Sequence, residues 1–514
     1  MLLAAQRDAL AGKYRYIIAG LTSPVPPMKT SFASALLTTL LWTASAWSSA
    51  EEPIGASESG VAEPTPTAAG QRNVILIIGD GMDDQQITIA RNYLVGARGR
   101  LLLDDMPHRG AVQILTTEDK VGGQPVYVAD SANTATSMAT GEVTSRGRLA
   151  TAAGTNKPLT TIVELAEAAG YRTGLVTTSS VTDATPAAFA AHISFRLCQG
   201  PDLMLEIVYS DIPLGGCPDE IKAKGGLGSV AEQLAESDLD VILGGGRKYF
   251  AMQAEGSQAT VAELAQHAGF TVIGEPGELA GAGSADRLLG LFSEDTMPVR
   301  LRGEDGRRAE APEPSWLNQV HRYLGDVTQP EPMDCEPNPD FTGMPSLRDM
   351  TDAALSVLAR PDSAGFFLMV ESASIDKQAH ERKPCGSIGE LEQLDEALAS
   401  ALAFAEDNPD TLILVTADHS QAAQLIPAES LFAAYPIPVF SPGMLARIRT
   451  PEGSLMAVNY ATTNFFMEEH TGANVPLFGN AVATGRVSNF IAQPDLFGIM
   501  RDYLELESAS LSDQ

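Results

Sequence analysis

Between Val370 and His380 the chain reads VESASIDKQAH, which places three metal-capable side chains, Glu371, Asp376 and His380, close together. If the apolar run before Glu371 is a strand and the chain then turns into a helix, Asp376 and His380 stand one turn apart and project from one helical face. Taken alone, that spacing is a weak signal, far more often a helical charge pair than half of a metal site. Asp418 and His419 sit side by side where another apolar run stops. Neighbours in an extended strand point to opposite faces, so both can ligate only where the backbone bends. His470 lies in EEHTG, a turn containing glycine. Three of the 7 histidines thus fall beside carboxylates at element ends. That is the nitrogen and oxygen set zinc accepts, while Asp80 and Glu371 add hard oxygens suited to magnesium. His108, His192, His267 and His321 have no such setting and read as structural.

A nucleophile is offered by VADSANTATSMATG, in which Asp130 and Ser131 precede small residues able to begin a helix at once. A serine at that position is most often a cap, yet the exposed N–H groups and positive dipole end also favour an alkoxide and a phosphate. A serine hydroxyl needs a base or a metal to attack at neutral pH. The chain shows no GxSxG elbow or Ser-His-Asp pattern, but it does hold metal ligands. Further on, VTDATPAAFAAHISFR supplies Asp183, Thr185 and Arg196, the last able to clamp two phosphate oxygens.

These residues need strands to aim them. NVILIIGD closes at Asp80, GFFLMVE at Glu371 and TLILVTADH at Asp418 and His419. Apolar runs without alternation fit strands buried on both faces of a parallel sheet, and ligands of such sheets bind beyond the strands' carboxyl ends. Helical patterns alternate with them. GELEQLDEALASALAFAED repeats leucine at three- and four-residue spacing, and TTIVELAEAAG ends at a capping glycine before the strand YRTGLVTT. The expected fold is therefore α/β: a three-layer, doubly wound, mostly parallel central sheet with helices on both faces and inserted loops. The stretch from about Gly200 to Arg360, rich in proline and glycine, reads as insertions that include one further strand, LDVILGGG.

The 514 residues carry 34 Lys and Arg against 65 Asp and Glu, a formal net charge of −31, which repels phosphate backbones and anionic lipid in the absence of a basic patch. No nucleic-acid module and no membrane anchor are expected. From Met28 the sequence MKTSFASALLTTLLWTASAWSSA has the charged start, apolar run and small-residue end of a signal peptide, so residues 1–50 read as an N-terminal extension plus signal, with the true start at Met28. The expected destination is periplasmic or secreted. Residues 51–72 read as a flexible linker, 73–505 as one catalytic domain and 506–514 as a tail. Four cysteines with no CxxC pair fit two disulfides in an exported protein. Pairing by proximity joins Cys198 to Cys217 and Cys335 to Cys385.

Taken in order, NVILIIGDGM, VADSANTAT, TDATPAAFAAHISFR, VESASIDKQAH, VTADHS and EEHTG resemble the signature set of the bacterial alkaline phosphatases, over about Asn73 to Glu505. The cysteines also fall where that family has its own. The resemblance implies hydrolysis of phosphate monoesters of broad specificity through a phosphoserine, with two Zn2+ and one Mg2+ as cofactors and a homodimer as the assembly. It makes Ser131 the nucleophile and Arg196 the phosphate clamp, oriented by Asp130. Asp376, His380 and His470 would hold the first zinc; Asp80, Asp418 and His419 the second; Asp80, Thr185 and Glu371 the magnesium. Asp183 and Lys377 resemble the pair beside that magnesium and the phosphate, where a histidine in some members alters metal preference. Ala379 and Ser372 depart from the usual acid and glycine, at positions that bind no metal. The rivals are a phosphodiesterase, sulfatase or phosphoglycerate mutase of the same superfamily, and an exported binding protein without turnover. The signal peptide speaks against the mutase, and the intact ligand set against the binding protein.

Overall fold

The structure, a computed structural model, describes residues 71–209, 211–321, 323–430 and 442–507. The expected N-terminal extension and signal, nearly all of the linker and most of the tail lie outside the described residues. The central sheet takes its strands from the apolar runs: β1 (Arg72–Gly79), β2 (His108–Gln113), β3 (Arg172–Ser180), β4 (Val241–Gly245), β5 (Thr271–Ile273), β6 (Leu288–Leu291), β7 (Gly365–Ser372), β8 (Thr411–Ala417), β9 (Val475–Gly479) and β10 (Phe490–Ala492). Their order across the sheet is β10-β2-β9-β8-β1-β7-β3-β4-β6-β5. Every neighbouring pair is parallel except the two that β9 makes. Side chains Val74 to Ile78 of β1 are wholly buried, as a strand covered on both faces requires.

The helices that position the site are α1 (Asp84–Leu94), α2 (Ser131–Thr140), α3 (Ile162–Ala168), α4 (Leu347–Leu358), α5 (Ser374–His380), α6 (Pro384–Asp407) and α7 (Asp495–Tyr503). One layer holds α1, α4, α5 and α6, packed on one another and on β1, β3, β7 and β8. The other holds α2, α3 and α7, packed together and onto β1, β3 and β7. Leu391, Leu394 and Leu398 of α6 are fully buried, as its spacing announced, while Leu402 and Ala405 of the same stripe are half-buried. The helix begins earlier than that stripe. Pro384 sits in its first turn, where no N–H is missed, and Gly389 lets Leu301 approach so closely that an added Cβ would lie 2.9 Å from the Leu301 nitrogen.

The stretch between Gly200 and Arg360 is not chiefly insertion. It supplies β4, β5 and β6 to the sheet, along with α4 and the helices Val230–Glu236 and Val261–His267. Strands of three and four residues carry too few side chains to display an apolar run, which is why only β4 stood out. An antiparallel sheet of Gln424–Ile426, Leu455–Tyr460 and Met444–Arg449 lies apart from the main one. Both disulfides form as paired, Cys198 with Cys217 and Cys335 with Cys385. The second pins the first turn of α6, directly behind α5.

Candidate active site

Four adjacent strands, in the order β8-β1-β7-β3, deliver their carboxyl ends to one place. Asp80 follows β1 directly. Asp418 and His419 follow β8. Glu371 lies one residue inside β7, aligned with Ile78 of β1 and Thr177 of β3, because the strand continues to Ser372. The turn after β1 requires Gly81: its φ is +66°, and an added Cβ would meet the Asp376 Cα at 3.2 Å. The Gly81 N–H donates to Asp418 Oδ1 at 3.0 Å, so one glycine spaces three of the acids. Helix α5 starts three residues past Glu371 and presents Asp376 and His380 together: Asp376 Oδ2 is 3.2 Å from His380 Nε2.

The nucleophile candidate is the first residue of α2. Asp130 caps that helix, accepting from the Asn133 N–H at 3.2 Å, and Ser131 Oγ lies 3.1 Å from His419 Nε2. Ser131, Asp80, Glu371, Asp376, Asp418 and His419 are all buried. Asp183 caps a one-turn helix, Ala184–Ala187, that carries Thr185. Its carboxylate accepts from Lys377 Nζ and from Arg196 Nη2 at 2.8 Å. Arg196 reaches Asp130 only at 3.4 Å, so in this structure Asp183, more than Asp130, orients it. All thirteen residues singled out as catalytic or metal-binding converge; His108, His192, His267 and His321 stay outside, His192 on Glu164.

The three site histidines share a device. His380 Nδ1 donates to the Glu468 carbonyl at 2.6 Å, His470 Nδ1 to the Ala129 carbonyl at 2.9 Å, and His419 Nδ1 to the Ser420 carbonyl at 3.3 Å. A carbonyl only accepts, so each Nδ1 carries a proton and Nε2 is the nitrogen left to face inward, a ligand once it gives up any proton of its own. Inward, apart from the Ser131 hydroxyl at His419, those nitrogens meet other ligand atoms. His380 Nε2 and His470 Nε2 are 3.0 Å apart, Asp376 Oδ1 is 3.4 Å from His470 Nε2, and Asp418 Oδ2 and Asp80 Oδ1 lie 3.3 and 3.5 Å from His419 Nε2. Among the described residues Asp80 Oδ1 and Asp418 Oδ2 have no hydrogen-bond partner, and the Thr185 hydroxyl beside Glu371 completes no ordinary one. Acceptors facing acceptors in a buried space call for a cation. Two groups of ligand atoms are drawn together tightly enough to share one: Asp376, His380 and His470, and Asp80, Asp376 and His419.

Electrostatics tell the same story. Burial, then Asp376, Asp418 and Glu371, push the Asp80 carboxyl well above its usual range. Burial pushes Glu371 up to about 7, against hydrogen bonds such as that from Thr177. Asp376 goes the other way: burial opposes its charge, but His380 and His470 hold it well below the carboxylate norm. In return Asp376, overcoming burial, raises His470 to about 9. Each of these groups is asking for positive charge. Lys377 and Arg196 supply some, both kept firmly charged against burial by Asp183.

Sequence reading missed a supporting shell. Gln421 Nε2 donates to Asp376 Oδ1 at 2.5 Å. Ser420 Oγ joins Asp83, the cap of α1, at 2.6 Å and Thr471 at 2.7 Å. Arg382 forms a buried ion pair with Glu468. Each, apart from Asp83, stands within two residues of a candidate ligand, the one signal available beforehand.

The family model described as alkaline phosphatase matches residues 71–437. An alkaline phosphatase of Escherichia fergusonii is 39% identical over 444 residues, 85% of this chain and 86% of that protein. A streptomycin-6-phosphate phosphatase of Streptomyces griseus is 39% identical over 484 residues, 92% of this chain and 96% of that protein. Among solved structures, a variant of the alkaline phosphatase of the Antarctic bacterium TAB5 with magnesium bound superposes with a TM-score of 0.57 at 22% identity, over 86% of this chain and 100% of that chain. At that identity the likeness speaks for the fold.

Proposed function

The chain belongs to the alkaline phosphatase family and is a phosphomonoester hydrolase; from that premise we propose that it works through a phosphoserine at Ser131, with two Zn2+ and one Mg2+, in the periplasm or outside the cell as a homodimer. The observation that carries the proposal is the Ser131 hydroxyl at a helix N-terminus, 3.1 Å from His419 Nε2 and facing a cage of acceptors. Asp376, His380 and His470 would hold one zinc, Asp80, Asp418 and His419 the other, and Asp80, Thr185 and Glu371 the magnesium. Such ions, when bound, lower the pKa of a coordinated hydroxyl or water and offset the charge of a leaving alkoxide.

The residues do the rest. Arg196 grips two phosphoryl oxygens through its planar fork, and the N–H groups at the start of α2 face the same oxygens. Asp183 holds Arg196 and Lys377 in place and keeps their charge. Ser131 Oγ bonds to phosphorus as the phosphorus–alcohol oxygen bond breaks, and the alcohol departs with a proton. Water then breaks the Ser131 ester, returning the hydroxyl and releasing inorganic phosphate. Two inversions give net retention at phosphorus. Because the contacts go to the phosphoryl group, the alcohol matters little.

Hydrolysis of 4-nitrophenyl phosphate, of its bis-ester and of the sulfate, with metal analysis of the same preparation, tests this reading. We expect the monoester to lead by orders of magnitude and zinc to be present. A preference for diester or sulfate would overturn it.

A further inference from the structure

We infer that the buried Arg382–Glu468 ion pair is a positioning device that sets the zinc affinity of the Asp376, His380 and His470 triad; the inference rests on the functional reading above. The two side chains are 6% and 0% exposed, with Arg382 Nε 2.6 Å from Glu468 Oε1. Neither is left with an unmet need. The Arg382 guanidinium also donates to the carbonyls of Phe465 at 2.7 Å and Phe466 at 3.4 Å. The second Glu468 oxygen accepts from the Thr462 N–H at 2.9 Å and its hydroxyl at 2.6 Å.

What the pair joins gives it meaning. Arg382 stands two residues beyond His380, and Glu468 two residues before His470. Their backbones are already stitched: the Glu468 N–H donates to the His380 carbonyl at 3.0 Å, and His380 Nδ1 donates to the Glu468 carbonyl at 2.6 Å. The side-chain pair closes that stitch into a ring around two ligand histidines that lie far apart in sequence. Arg382 adopts φ +62°, a conformation uncommon for a residue with a Cβ, and such strain persists where the surroundings demand the side chain. Breaking one half of a buried pair leaves the other charge uncompensated, so the loop from Thr462 to His470 would shift and both imidazoles would lose their aim. Partners that orient metal ligands typically change metal affinity by about 10- to 100-fold.

The test titrates zinc chloride into the full, metal-stripped protein against a chromogenic chelator, for the wild type, Arg382→Met, Arg382→Lys, Glu468→Gln and, as comparator, His380→Ala, with the melting temperature of each apo form. We expect one class of zinc to weaken about 10- to 100-fold in Arg382→Met and Glu468→Gln, the second class to keep its affinity, and Arg382→Lys to recover part of the loss. A merely structural role would lower the apo melting temperature while leaving both zinc affinities unchanged, and that result overturns the inference. Should Arg382→Met fail to fold, Glu468→Gln and Arg382→Lys decide by the same reading. If the wild type binds no zinc that His380→Ala removes, the functional reading itself fails.

Discussion

At the scale of single residues, the site is built by denying each polar group its easiest partner. Asp80 and Asp418 each keep a buried oxygen without a hydrogen bond among the described residues, and the histidines commit one nitrogen to a carbonyl so that the other must face inward. Gly81 shows how narrow the tolerance is. Gly81→Ala forces a Cβ into a positive-φ turn and to within 3.1 Å of the Asp376 Cβ. We expect a stability loss of about 1–2 kcal/mol from the backbone alone together with reduced metal content, read by thermal unfolding and by metal analysis. Arg196 contributes differently, through ground-state grip. Arg196→Ala should raise KM for a monoester, and weaken inhibition by inorganic phosphate, by roughly 10- to 100-fold, the scale of losing charge-assisted hydrogen bonds; steady-state kinetics with phosphate as inhibitor checks it.

At the scale of elements, α3 and β3 offer a test of pH dependence away from the site. Glu167 accepts from Thr173 Oγ1 at 2.9 Å, yet burial, helped by Asp238, Asp240 and Glu164, lifts its carboxyl to about 7 from 4.5. The folded state therefore holds a proton that the unfolded chain releases, and stability falls as pH rises from about 4.5 to 7. Glu167→Gln keeps the acceptor and removes the titration. Its unfolding free energy should change less than that of the wild type between pH 5 and pH 8, by a difference on the order of 1–3 kcal/mol; equal changes would count against it. The elements themselves were unevenly legible. β1, β7, β8 and α6 announced themselves through unbroken apolar runs or leucine spacing, because full burial leaves that mark. β5 and β6 did not, being too short to show a period, and the pairing of β9 against the grain of the sheet depends on neighbours that no local pattern names. The candidate ligands were legible because element ends expose them. Gln421, Arg382 and Glu468 were not, since nothing local separates an orienting residue from an ordinary polar one.

At the scale of the whole molecule, two covalent links hold distant segments in register, and the proposed ions would add to them. Reducing Cys198–Cys217 and Cys335–Cys385 should lower stability by roughly 3 and 4 kcal/mol on the chain-entropy account, seen as a drop in melting temperature with reductant. Stripping divalent metal should abolish turnover and cost about 2–4 kcal/mol of stability, as expected for ligands held well above their Kd, with zinc restoring both. Behind these stands one claim: segments from Asp80 to His470 fold together so that a single serine hydroxyl faces a cation cage. The most direct measurement is an acid quench of the protein during turnover of a phosphate monoester, followed by peptide mass mapping. The account predicts one phosphoryl group, on Ser131, that is absent from Ser131→Ala, whose turnover falls on the order of 10³-fold or more. A phosphoryl group on another residue, or undiminished hydrolysis by Ser131→Ala, would contradict it.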